Sequence, residues 1–385
     1  MNRAPHERLH HVDALRAFAM LLGVALHAAL SFSDMDWAVK DSTAGPAPGI
    51  LVAAVHGFRM QLFFLLSGYF SLLLLRHRGT RGFMANRASR IALPLAVSCA
   101  TILPLTWGAT WFVSDGRAPR VLAELLAPLP WLAWLFVFPL LGHLWFLWFL
   151  CWMAPALVAA AWVARRVRWL RPPAALVRTP LCLLWLVPVT AVLLAPMGRW
   201  GTQPSFGADT SAGVLPMPHV LAYYGAFFAF GALAATVPGA IRGIGRGWWA
   251  WLALGAVVFL PAAVLGGLAP EGERLFPDPG VRRLAMLVLG AAYSWCMCLG
   301  LLGAASRFLH AERPWMRWLA DSSYWVYLAH MPVVLLLQWA VAPWAAPGVL
   351  KFAVVLAASM GVLLLAYRVA VRGSWIGRML NGPRG

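Results

Sequence analysis

Ten long apolar runs set the rhythm of this chain. They cover residues 12–33, 50–75, 91–113, 142–163, 181–197, 217–237, 248–268, 284–306, 323–343 and 348–370. A helix needs about 17–25 predominantly apolar residues to cross the hydrocarbon core of a bilayer, and each run meets that length. The breaks between them are short and rich in arginine, glycine or proline. The pattern predicts an all-α integral membrane protein, a bundle of about ten transmembrane helices in one domain spanning 1–385, with no appended soluble domain. The stretch LAELLAPLPWLAWLFVFP (122–139) is apolar but interrupted by prolines. It reads as an interfacial or re-entrant segment leading into the fourth span.

Composition agrees with the pattern: 62% of the 385 residues are hydrophobic, 11% are charged, and 22 are tryptophan. Basic residues outnumber acidic ones 31 to 13, a balance that in a soluble chain would suggest nucleic acid. Here the arginines fall in alternate inter-span segments. With both termini cytoplasmic, the inner segments, counted with Arg368 at the inner end of the last run, hold 21 of the basic residues, and the outer segments, counted with Lys351 at its outer end, hold 8, as the positive-inside rule requires. The basic–aromatic run RRVRWLR (165–171) then fills an inner loop, and no nucleic-acid partner is expected. The first apolar run contains Arg16 and has no clean cleavage site, so it reads as a retained span. Cys99, Cys151, Cys182, Cys296 and Cys298 all sit in apolar stretches and read as reduced packing residues, with no metal site expected.

Ionisable groups inside the spans carry the chemistry, because a charge at the centre of a transmembrane helix costs about 2.5–3.5 kcal/mol and faces the bundle interior. In DALRAFAMLLGVALHAAL (13–30), Arg16 and His27 are eleven residues apart, which places them within about 20° of one another around a helix and roughly 16 Å apart along it. Ala19 and Gly23 leave room on the same stripe for a neighbouring helix or a ligand. The second run, VHGFRMQLFFLLSGYF (55–70), places His56 and Arg59 one turn apart, with Ser67 on the face of His56. His143 opens the fourth run. Ser323, Tyr327 and His330 share a face of the ninth. At the inner mouth, Arg87 and Arg90 are spaced to share a face where guanidiniums could clamp a phosphate.

Structural readings stand beside these. A membrane histidine such as His143 or His330 often serves only an interhelical hydrogen bond, Ser67–Gly68 suits close helix packing, and the loop arginines satisfy the positive-inside rule. Arg59 needs an anion: either Asp34 or Asp36 from the outer loop, or an anionic substrate.

A histidine within the bundle is a natural general base for a hydroxyl. A basic inner mouth with an imidazole toward the outer face fits group transfer across the membrane. A phosphorylated carrier would dock on the arginines and present a thioester beside His27, and an outer hydroxyl would attack it. The competing reading, a proton-coupled solute transporter using the same residues, predicts paired intramembrane carboxylates and inverted repeats, neither of which the sequence contains.

The ensemble of Arg16 and His27, HGFRMQLFFLLSG, the Arg87–Arg90 pair, GHLWFLWFL (142–150) and SSYWVYLAHMP (322–332) resembles the signature of the acyltransferase family 3 membrane proteins. Among their branches it is most similar to the one that succinylates osmoregulated periplasmic glucans. The resemblance implies His27 as the catalytic residue. It implies acyl-coenzyme A, in this branch succinyl-coenzyme A, as co-substrate and a periplasmic glucan as acceptor, in a bacterial inner membrane, with no bound cofactor. Arg16, Arg87 and Arg90 would serve the donor. His56, Arg59, Ser67, His143, Tyr327 and His330 would line the acceptor or acyl pocket, with Arg59 suited to an acyl group that ends in a carboxylate.

Overall fold

The computed structural model describes residues 10–166, 174–178, 180–198, 206–265, 277–309 and 313–382. Residues 167–171 of the basic loop and 266–268 at the end of the seventh apolar run lie outside them. The described residues are almost wholly helical. In order they form α1 (His10–Leu30), α2 (Pro46–His56), α3 (Arg59–Arg87), a π-type turn (Ala88–Ala92), α4 (Leu93–Ala100), α5 (Ile102–Val113), α6 (Arg117–Leu126), α7 (Trp131–Val137), a 3-10 turn (Gly142–Leu144) and α8 (Trp145–Arg166). Then follow α9 (Ala175–Arg178), α10 (Cys182–Leu194), α11 (Pro218–Ala234), α12 (Ala240–Gly245), α13 (Trp248–Ala263), α14 (Pro279–Phe308), α15 (Pro314–Val341), α16 (Gly348–Ala366), a second π-type turn (Tyr367–Val371) and α17 (Trp375–Asn381).

Each predicted apolar run is mostly helical where it is described, but six stretches among the described residues are both long and apolar enough to cross a membrane unaided. α5, α10, α11 and α13 are shorter apolar helices of 10–17 residues. The segment at 122–139 forms two short helices, α6 and α7, joined through Pro128 and Pro130, with much of its apolar surface exposed.

Two runs that read as continuous helices are broken. The third divides at Thr101. The second divides at Gly57 and Phe58, where Phe58 takes φ −137°. Buried backbone in a membrane must find partners, and α14 supplies them: the Tyr293 hydroxyl donates to the Ala54 carbonyl (2.9 Å), Ser294 Oγ to Gly57 (2.6 Å), and Cys298 Sγ to Phe58 (3.8 Å). His56 and Arg59 therefore belong to different helices. The expectation that one continuous helix sets His56 and Arg59 one turn apart and Ser67 on the face of His56 is corrected on this point.

The core sits where α3 crosses α11. Added Cβ atoms on Gly68 and Gly231 would run into the Phe228 and Leu65 carbonyls, so the two backbones touch through glycine. Around the crossing Phe64, Trp145, Phe146, Phe149 and Tyr224 pack ring against ring. On the other side Val24 and Ala28 of α1 join Val326, Ala329 and Val334 of α15 in a second apolar cluster. These two packings hold α1, α3, α8 and α15 together around the ionisable residues.

Candidate functional site

His27 lies in the last turn of α1, where a helix leaves carbonyls without intrahelical partners. Phe32 N–H donates to Ala29 and Ser33 N–H to Leu30. Gln338 of α15 takes the rest, its Nε2 donating to the carbonyls of His27 (2.8 Å) and Ala28 (3.2 Å). Its Oε1 accepts from Trp37 Nε1 at 2.9 Å. Trp37 stacks on the His27 ring, with centroids 5.9 Å apart and planes 25° from parallel. One glutamine thus fixes both the backbone beneath the imidazole and the indole lying over it.

Two further histidines complete a row. The His330 ring centroid lies 5.2 Å from His27, and His143 lies 5.1 Å from His330. His330 Nδ1 donates to the Tyr327 carbonyl (2.7 Å), and His143 Nε2 donates to the Leu328 carbonyl (2.9 Å). A carbonyl can only accept, so those nitrogens carry the protons and the opposite ones, His330 Nε2 and His143 Nδ1, are buried without a partner. The Tyr327 hydroxyl donates to the His143 carbonyl at 2.8 Å, locking α15 to the start of α8. His330 and His143 are buried, whereas His27 is partly exposed, and its enclosed Nδ1 has no hydrogen-bond partner. No group of these residues is arranged to hold a metal ion, among the described residues.

Arg59 is buried, with 8% of its surface exposed. Its guanidinium lies against Gly23, one turn before His27 on the same face of α1. No carboxylate pairs with it among the described residues, and its Nε has no partner. Asp34 and Asp36 are exposed on the loop between α1 and α2, and Lys40 binds the Asp34 backbone. Of the two anions that the sequence offered Arg59, the loop carboxylates are not in place.

At the other end of α1, Arg16 is 44% exposed and pairs weakly with Asp13 at 3.4 Å. Arg87 lies within electrostatic reach of Arg16, stacks over Phe83 at 5.1 Å and has an enclosed, unpartnered Nε. Arg90 is engaged differently. Its Nη1 donates to the carbonyls of Arg378 (3.1 Å) and Met379 (2.9 Å) in α17, and its own carbonyl accepts from the Tyr324 hydroxyl (3.0 Å).

The remaining sequence candidates stand apart. His56 Nε2 donates to the Ala208 carbonyl at 2.8 Å and packs against Gly207, an outer-loop tie. Ser323 Oγ bonds only within its own turn, to Ala320. Ser67 is half-buried beside the Gly68 crossing, and no contact joins it to the histidine row. Sequence reasoning missed Trp37 and Gln338, which reach His27 from a loop and from a helix some 300 residues away.

Residues 9–368 match the family model of the acyltransferase domain of acyltransferase family 3. The chain is similar to proteins named glucans biosynthesis protein C from Salmonella heidelberg strain SL476, Salmonella enteritidis PT4 and Salmonella agona strain SL483. Each is 24% identical over 377 residues, covering 97% of this chain and 94% of the relative. No solved structure matches it.

Proposed function

Because the chain belongs to the acyltransferase family whose domain it matches over residues 9–368, we propose that it moves a succinyl or other short acyl group from cytosolic acyl-coenzyme A to hydroxyls of a periplasmic glucan. It works from the bacterial inner membrane with both termini in the cytoplasm. The relatives' name, glucans biosynthesis protein C, supports the acceptor class. The observation that carries the reading is the partly open ring of His27, its enclosed Nδ1 without a partner, held one turn from the guanidinium of Arg59, with which no carboxylate pairs among the described residues.

In this reading His27 takes the proton from an acceptor hydroxyl as its oxygen attacks the thioester carbonyl. The C–S bond then breaks and the proton passes to the leaving thiolate, so the base is regenerated. Arg59, preorganised in a site from which water is largely excluded, stabilises negative charge: the oxyanion, the terminal carboxylate of a succinyl group, or both. His330 and His143, each with one ring nitrogen fixed as donor to a carbonyl, extend the row from His27 on the acceptor side. Arg16 and Arg87 receive the donor's phosphates at the inner mouth.

The test is transfer in sealed vesicles, with labelled succinyl-coenzyme A on the inner side and glucan on the outer side. The native protein places label on the glucan, and His27→Ala inserts normally and places none. Normal acylation by His27→Ala overturns the mechanism. Passage of an unmodified solute without acyl transfer overturns the activity.

A further inference from the structure

The outer loop between α1 and α2 is short, yet it is tied at unusual depth. Its base is closed by Ser31 Oγ donating to Val39 O (2.7 Å), Asp41 N–H to Ser31 O (2.9 Å) and Gly45 N–H to Phe32 O (2.9 Å). Asp41 is 3% exposed and Lys351, in the second turn of α16, is fully buried. Lys351 Nζ donates to Asp41 Oδ2 at 2.9 Å and to the Ala342 carbonyl at 3.0 Å. The other carboxylate oxygen accepts from the Thr43 N–H (2.9 Å) and hydroxyl (2.6 Å). Thr43 in turn packs on Gly348, where a Cβ would crowd its side chain.

Burying two charges is expensive, and such a pair contributes little net stability compared with apolar residues of the same shape. What it supplies is a fixed position. The segment between its closed base and Asp41 carries Trp37, and Trp37 is the residue stacked on His27 and bonded to Gln338. The α15–α16 hairpin therefore grips the loop at two points: Gln338 holds the indole, and Lys351 holds the carboxylate four residues later. With both gripped, the indole covers one face of the imidazole.

We propose that the Lys351–Asp41 ion pair is a positioning latch that holds Trp37 over His27 and so orients the catalytic imidazole. Lys351, Asp41 and Trp37 are positioning residues in this scheme; none of them touches the reacting atoms. The inference rests on the reading of His27 as the base, but the stacking itself can be probed without any acyl transfer.

The experiment measures two quantities on full-length protein in vesicles: labelling of His27 by diethyl pyrocarbonate, read by peptide mass spectrometry, and the kcat and KM of succinyl transfer. Three variants are compared: Trp37→Leu, Trp37→Phe, and Lys351→Met combined with Asp41→Asn, which leaves no lone buried charge. Trp37→Leu and the double variant are expected to raise His27 labelling severalfold. They are also expected to lower kcat roughly tenfold, with the donor KM little changed, as loss of orientation predicts. Trp37→Phe, which keeps a ring to stack, retains near-native labelling. If the double variant fails to fold, Lys351→Gln combined with Asp41→Asn decides, since it also leaves no lone buried charge and keeps polar groups of similar length at both positions. Unchanged His27 labelling, or raised labelling with unchanged kcat, overturns the latch. A fall in melting temperature with unchanged labelling makes the pair a structural tie only and overturns it too. If labelling rises in protein that transfers no acyl group even when native, the stacking stands and the acyltransferase reading fails.

Discussion

The guanidinium of Arg59 occupies the volume that a side chain on Gly23 would fill. α3 can lay a cation against the His27 stripe because α1 has no Cβ there. A methyl at that position must push a buried side chain aside, into a site with no carboxylate to receive it. Gly23→Ala is expected to insert normally, since alanine favours the helix, and to lose roughly 10²-fold in kcat/KM through misplacement of the cation. Transfer rates measured beside membrane-inserted protein amounts check this.

In the proposed reaction Arg59 is also expected to separate acyl groups by charge. A buried guanidinium bonded to a carboxylate contributes about 1.5–3 kcal/mol, which corresponds to roughly 10–100-fold in binding. Arg59→Met is therefore expected to lose more with a succinyl donor than with an acetyl donor, and competition between the two donors reads the ratio directly. An equal loss with both places Arg59 at the oxyanion alone.

The two inner-mouth arginines are expected to divide. Arg87 has an unpartnered Nε and lies near Arg16, whereas Arg90 already donates to two carbonyls of α17. Arg87→Ala should weaken acyl-coenzyme A binding about tenfold, as loss of one charge-assisted phosphate contact implies. Arg90→Ala should instead loosen the C-terminal helix, seen as faster proteolysis near Arg378, with a smaller change in donor affinity. Titration calorimetry and limited proteolysis on the same two variants separate the roles. Equal donor affinity in Arg87→Ala and native protein removes the docking site.

How much of this was legible beforehand follows from the period of each signal. The helices and the His27–Gly23 stripe were legible because apolar runs and 3.6-residue spacing are local. The break at Gly57 was not, because the chain is apolar on both sides of VHGFRM and the groups that accept the break, Tyr293, Ser294 and Cys298, lie in α14. Arg59 was legible as an uncompensated cation, but its seat against Gly23 was not, since helix spacing says nothing of which neighbour fills a gap. The three histidines were each visible in sequence. Their meeting was not, because it depends on how α1, α8 and α15 converge. Trp37 and Gln338 had no local signature: a tryptophan in an outer loop and a glutamine in an apolar helix matter only through each other.

Acid should test the outer loop selectively. Burial alone would raise the pKa of Asp41, but the opposing effects win: hydrogen bonds from the Thr43 hydroxyl, Lys351 and the Thr43 N–H, together with the Lys351 charge, hold its carboxyl below the usual carboxylate range. A carboxyl depressed in the folded state contributes stability that is present above its unfolded value and is lost as pH falls through the folded one. The loop is therefore expected to stay closed at mildly acidic external pH and to open only below the ordinary aspartate range, about pH 3.9. In a latch of this kind, opening carries Trp37 away from His27. Relative to the intrinsic exchange rate at each pH, the protection of residues 31–45 in vesicles acidified on the outside should hold constant through pH 5 and fall only at the acid end. In Asp41→Asn the exchange should be faster and should lose that acid step. Persistence of the step in Asp41→Asn assigns it to another group and removes Asp41 from the account.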